Sequence, residues 1–205
     1  MKLYVNPMSP NCRRVAAVVY HTNAKVEFQT IDFGGKFDWD AFKKVNPTGL
    51  IPALEDGDFK LGESNAIMQY LADQTKSDLL GTDARSRADV TRWQCWQLAH
   101  FGPASDTLLW ENMLKGMFGE GEANLDEVKQ GLEEFRQHAA VLDKHLSSNK
   151  FIGGTHVTLA DYSIAANLMY AEPAKLPLLE FPHIKKWYAN IETLDAWKKS
   201  TPPRA

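Results

Sequence analysis

Three short stretches in the first third of this 205-residue chain carry side chains whose types and spacing suit chemistry. The first is MSPNCRR, where Ser9-Pro10-Asn11-Cys12 has the spacing of a C-P-x-C thiol redox site with serine in place of the first cysteine. The second is NPTGLIPAL, in which Ile51-Pro52 leads into a strand pattern. The third is GESNAI, in which Glu63 and Ser64 open a helical pattern. A helix start carries unpaired N–H groups and the positive end of a dipole, so Ser64 marks either a ready anion site or a plain cap. Ser9 stands in the same relation to the helix after it. Taken singly, Ser9 is a local cap, Glu63 a solvated charge and Pro52 a strand-opening proline. Their company decides whether they do more.

The elements that must position them form a mixed α/β unit over residues 1–78. KLYVN alternates and predicts a strand, CRRVAAVVYHTN places Val15, Val18 and Val19 on one helical face, and VEFQTID alternates again. DWDAFKKVNP opens on a capping Asp38, spaces Phe42 and Val45 by three, and stops at Pro47. IPALEDGDFKL is two short strands around Asp56-Gly57, a hairpin signal, and SNAIMQYLADQ is a helix with Ile67 and Leu71 four apart. The order is β-α-β-α-β-β-α. TKSDLLGTD links this unit to an all-helical one over residues 85–205 with no convincing strand. Its first helical stretch is bent or broken at Gly102-Pro103. Its clearest period runs Leu125, Val128, Leu132, Phe135, Ala139, Leu142, Leu146 at alternating spacings of three and four. TLADYSIAANLMYA is apolar nearly all round and reads as buried, while FPHIKKWYANIETLDAWKK supplies one or two more helices.

Composition narrows the function classes. A formal net charge of -3, from 23 basic and 26 acidic residues, argues against nucleic acid or an anionic membrane surface as the partner. No uncharged apolar run approaches the ~18 residues of a membrane span. The start, MKLYVNP, lacks the apolar core and cleavage site of a signal peptide. The two cysteines, Cys12 and Cys95, are no disulfide framework, so a cytoplasmic, reducing setting fits best. No metal site is expected.

With NP-x-G-x-I/V-P and E-S-x-A-I in order and about ten residues apart, as in a single fold module, the chain resembles the cytosolic glutathione transferases. The resemblance covers nearly its whole length, including the TLAD helix start and the closing FPHIKKWYANIETLDAWKK. It implies a thioredoxin-like domain that binds glutathione, followed by a helical domain that contributes a pocket for small apolar electrophiles. It implies a cytoplasmic homodimer active in detoxification, with glutathione as co-substrate. Residue by residue, it implies a cis Pro52, since X-Pro bonds have only ~0.5–1 kcal/mol of trans preference. The Ile51 backbone then pairs with the cysteinyl part of glutathione, Ser64 receives the γ-glutamyl carboxylate, and Glu63 pairs with the γ-glutamyl ammonium. Ser9 donates to the glutathione thiolate, as in the serine-type phi and theta classes. SPN also resembles the T-P-N stretch of the bacterial nu class, which makes Asn11 a candidate assistant or a helix cap. Cys12 is a small buried residue, or, if exposed, a partner for a mixed disulfide. Arg13 and Arg14 read most simply as solvated charges, with service to a substrate carboxylate or a dimer contact as the alternative for one of them. Many serine-type members place a histidine near the position of Phe37 for the glycine carboxylate; here Lys36 is the only adjacent cation. Thr158 and Asp161 form a capping box. Trp96, Trp110, Met113, Met117 and Phe118 are candidates for the electrophile pocket, with ordinary core as the alternative. The function implied is conjugation of glutathione to electrophiles. The alternatives are glutathione-dependent reduction of peroxides or disulfides, and a non-catalytic interaction module.

Overall fold

A computed structural model describes residues 1–202. The first unit runs β1 (Lys2–Val5), α1 (Pro10–Thr22), β2 (Glu27–Thr30), α2 (Trp39–Lys43), β3 (Ala53–Asp56), β4 (Phe59–Leu61) and α3 (Ser64–Gln74). The strands form one sheet in the order β2-β1-β3-β4. β1 runs parallel to β2, with Val5 opposite Thr30, and antiparallel to β3, with Tyr4 opposite Ala53. β3 and β4 form the hairpin across Asp56-Gly57, and Gly57 takes the positive φ of 63° that such a turn demands.

Strand alternation sorts the core into two layers. Leu3 and Val5 are buried beside α1 and α3, whose Val15, Val18, Val19, Ile67, Met68 and Leu71 are also buried. Tyr4 points to the opposite face, where its ring lies 5.3 Å from that of Phe42 on α2. There Ile31, Phe42, Val45 and Ala53 make a second cluster, with Phe37, Trp39 and Ile51 packed against it. The result is a thioredoxin-like domain.

The second unit is helical: α4 (Ala84–Trp96), α5 (Gly102–Leu109), α6 (Lys115–Met117), α7 (Leu125–Leu146), α8 (Leu159–Ala165) and α9 (Pro182–Thr193). Its only strand-like pairing among the described residues is the bridge between Phe151 and Gly154. Of the bend or break expected at Gly102-Pro103, the break is absent, since the chain stays helical through these residues. α4, α5 and α6 join through two π-helical turns, Gln97–Phe101 and Trp110–Leu114. Pro103 has no N–H to give and its ring crowds the preceding turn, so the wider π register accommodates it. Gly102 is required there, since a Cβ would lie 2.8 Å from both the Gln97 carbonyl oxygen and its Nε2. The α7 stripe is buried from Phe135 onward, but Leu125 at its first turn is 78% exposed. No described helix is long and apolar enough to cross a membrane.

The chain divides into two compact units, Met1–Leu80 together with the described residues from Thr193 on, and Gly81–Glu192. A last helix, α10 (Asp195–Lys199), packs on α1. The contact corrects the arginines, which are not solvated: Arg13 and Arg14 are buried. The Arg13 guanidinium lies 4.0 Å from the centre of the Trp197 ring, a cation–π pairing that lets a charge leave water.

Candidate functional site

Strand direction gathers the predicted residues. β1 and β2 are parallel, so their C-terminal ends share one end of the sheet, and Ser9 and Lys36 follow those ends. β3 runs the other way and begins there, directly after Ile51-Pro52. β4 reverses again and ends there, directly before Glu63-Ser64. Residues from three separate motifs therefore meet at one end of the first unit. The Ile51–Pro52 peptide bond is cis.

Ser9 is the N-cap of α1, in extended conformation, and its hydroxyl oxygen accepts the Cys12 N–H at 3.4 Å. Capping uses a lone pair of the hydroxyl and leaves its hydrogen to donate elsewhere. Asn11, two residues on, is exposed. Cys12 is 1% exposed, and its sulfur accepts the Asn6 N–H at 3.4 Å. Burial pushes its thiol up to about 11, against smaller downward pulls from the Asn6 and Ser9 hydrogen bonds and from Arg14. At neutral pH it is a protonated, enclosed thiol, which suits packing and not disulfide exchange.

Glu63, not Ser64, is the cap position of α3, and no side chain closes the helix start. Glu63 is held at φ 61°, a left-handed value costly for a residue with a Cβ. Its carboxylate is exposed, while Ser64, the first helical residue, is 7% exposed. The chain thus offers uncapped N–H groups, a hydroxyl and a free carboxylate side by side, which can receive a zwitterionic group at its two charged ends.

Lys36 is exposed in the segment between β2 and α2. Phe37 beside it is committed to packing, with its ring 5.0 Å from Trp39 and 5.7 Å from Phe42. Of the aromatic and methionine candidates, Trp110, Met117 and Phe118 are exposed, and the Trp110 and Phe118 rings stack at 6.4 Å. Trp96 is half-buried, its ring stacked 5.5 Å from that of Phe101. Asp161 is fully buried, and its arm of the capping box accepts the Thr158 N–H at 2.8 Å. Among the described residues no His, Cys, Asp and Glu cluster is arranged to hold a metal ion.

Two features escaped the sequence. One is the Arg13–Trp197 pairing, for which no local pattern exists. The other is Asn6, whose side chain and backbone bond to Ile31, Met8, Ser9 and Cys12; its position ahead of Pro7, asparagine then proline in a turn, was the available signal.

Comparison with known proteins agrees with this fold. A family model described as "Glutathione S-transferase, N-terminal domain" matches residues 3–78, and one described as "Glutathione S-transferase, C-terminal domain" matches residues 112–195. A glutathione S-transferase of Hyoscyamus muticus is 32% identical over 98% of this chain and 97% of its own. The crystal structure of glutathione transferase F7 from Populus trichocarpa superposes with a TM-score of 0.88 at 29% identity, covering 97% of this chain and 96% of that one. Glutathione S-transferase-I bound with lactoylglutathione gives 0.86 at 27% identity, covering 98% and 97%.

Proposed function

The chain belongs to the cytosolic glutathione S-transferase family and is an enzyme with glutathione as its co-substrate, and on that premise we propose which of its residues perform the conjugation. The observation that carries the assignment is the convergence of Ser9 and the uncapped Glu63–Ser64 helix start at one end of the sheet. The γ-glutamyl carboxylate of glutathione sits on the α3 N–H groups and the Ser64 hydroxyl, with the γ-glutamyl ammonium on Glu63. The Ile51 backbone pairs with the cysteinyl residue as one strand pairs with another. Lys36 is the cation for the glycine carboxylate. The sulfur arrives at the start of α1, where the Ser9 O–H donates to it and the helix dipole favours its charge.

A free thiol titrates near ~8.5, so each unit of depression raises the nucleophile available at neutral pH. The thiolate then attacks an electrophilic carbon. A C–S bond forms, and the displaced group leaves with the electron pair of its old bond; in an addition, the π pair of the attacked double bond moves off the carbon and takes up a proton from water. Catalysis comes from thiolate stabilisation and from holding the two reactants together. The electrophiles are small and apolar, the active form is a homodimer, and the setting is the cytoplasm, with detoxification as the role. Support for these last points is the family's usual pattern.

The test is retention on immobilised glutathione, followed by turnover of a panel of model electrophiles and hydroperoxides. Retention with conjugation of electrophiles is expected. Retention with turnover of hydroperoxides alone, or no retention, would remove the proposal.

A further inference from the structure

We infer that Asn6 is the positioning residue that sets the Ser9 hydroxyl against the glutathione sulfur, an inference that rests on the Ser9 assignment above. The problem Asn6 solves begins with Pro7. The Ile31 N–H donates to the Val5 carbonyl at 2.7 Å, which extends the parallel β1–β2 ladder by one step. In a parallel ladder the next bond would run from the N–H of residue 7 to the Ile31 carbonyl. Residue 7 is proline and has no N–H. The Asn6 side chain supplies the missing donor, with Nδ2 giving to the Ile31 carbonyl at 2.9 Å. The ladder is completed by a side chain, and the backbone is released to turn.

The same residue then shapes the turn. Asn6 Oδ1 accepts the Met8 N–H at 2.9 Å, and the Asn6 carbonyl accepts the Ser9 N–H at 3.0 Å. Asparagine first and proline second are the residues this four-residue turn favours. The Asn6 N–H donates to Cys12 Sγ at 3.4 Å, which ties the turn to the first coil of α1. The amide orientation is fixed by chemistry, since the Ile31 carbonyl needs a donor and the Met8 N–H an acceptor. Four hydrogen bonds from one residue thus join β1, the end of β2, the turn and α1, and Ser9 is the turn's last residue. The Ser9 cap bond to Cys12 N is long, at 3.4 Å, so the cap alone holds the hydroxyl loosely and the turn must place it. Asn6 acts through Ser9 and not on a reacting atom.

The test compares wild type, Asn6→Ala, Asn6→Ser, Ser9→Ala and the Asn6→Ala/Ser9→Ala double variant. The readouts are the ultraviolet titration of the thiol of bound glutathione, kcat and KM with a model electrophile, calorimetric glutathione affinity, and Tm. Ser9→Ala is expected to raise the bound-thiol titration by about one to two pH units. Asn6→Ala is expected to move it the same way by a smaller amount, to lower kcat, and to leave glutathione affinity near wild type. Asn6→Ser keeps an oxygen acceptor for the Met8 N–H but not the reach to Ile31, so it lies between wild type and Asn6→Ala, and it serves if Asn6→Ala does not fold. The double variant should titrate as Ser9→Ala does, because a residue that acts through Ser9 has nothing left to position. A shifted Ser9→Ala beside Asn6 variants that lose only Tm overturns the inference and leaves the Ser9 assignment standing. An unshifted Ser9→Ala overturns both.

Discussion

Asp161→Ala should be among the most costly single substitutions in the helical unit. The carboxylate is fully buried. Oδ1 accepts the Ile152 N–H and the Trp187 indole N–H, both at 2.8 Å, and Oδ2 accepts the Thr158 N–H at 2.8 Å and its hydroxyl at 2.9 Å. Truncation strands three buried N–H groups, while the Thr158 hydroxyl can rotate to another partner. Each stranded donor costs ~1–3 kcal/mol. Against this, removing a buried charge relieves its own desolvation, the same burial that drives the Asp161 carboxyl up while its four hydrogen bonds pull it down. The net loss should be about 3–5 kcal/mol, the usual cost of taking one partner from a buried charged network. At ~2–4 °C per kcal/mol for a chain of this size, Tm should fall by about 10 °C. Asp161→Asn separates the terms. Its amide oxygen can keep the Ile152 and Trp187 donors, but its NH₂ would face the Thr158 N–H, so roughly half the loss is expected. Urea unfolding at neutral pH, with glutathione affinity of the folded fraction as a control, measures both variants. A loss below ~1 kcal/mol for alanine, the scale of an ordinary helix cap, would refute the network and leave only a local capping role. Asparagine no better than alanine would refute the division between the two oxygens.

Glu63→Ala and Ser64→Ala should each weaken glutathione binding about tenfold or more, since each removes a hydrogen bond to a charged ligand end worth ~1.5–3 kcal/mol; calorimetric titration checks this, and wild-type affinity in both places the site elsewhere. Only one of the two cysteines should react with a thiol reagent in the native state at neutral pH, the exposed Cys95, with Cys12 joining on denaturation. Cys12 also makes a pH prediction: its folded value of about 11 lies above the ordinary 9.0, so the folded state holds the proton more tightly and stability falls as pH rises from about 9 toward 11. Cys12→Ala should flatten that fall relative to wild type in urea unfolding across the range, and parallel curves would refute the assignment. Trp197→Ala should cost ~3–5 kcal/mol, because it empties a buried indole site and takes the ring from the Arg13 guanidinium; a variant that unfolds with wild-type Tm would show that α10 adds nothing to the first unit.

Local pattern determined a good deal here. Strand alternation in KLYVN and VEFQTID, the helical spacing of Val15, Val18 and Val19, and the Asp56-Gly57 turn were enough for the element order of the first unit, because each depends on neighbours a few residues apart. The motifs around Ser9, Ile51-Pro52 and Glu63-Ser64 named the residues of the candidate site, though not their arrangement. That arrangement came from strand direction: antiparallel pairing of β3 with β1 brings Ala53 opposite Tyr4, and with it the start of β3 to the end where Ser9 lies. Contacts distant in sequence decided the rest. Arg13 read as solvated because nothing near it is acidic or aromatic; its partners Trp197 and Thr201 lie at the far end of the chain, 188 residues on in the case of Thr201. Asp161 read as a cap because Thr158 is three residues away, whereas its Ile152 and Trp187 donors come from other segments. Gly102-Pro103 read as a bend or break because those residues interrupt an α-helix, and the π turn that absorbs them depends on the Gln97 carbonyl accepting the Gly102 N–H. Periodicity reports which face of an element is apolar; it carries no information on which distant side chain will take a charge or a hydrogen bond from it, and at Arg13, Asp161 and Asn6 that choice was made by tertiary packing.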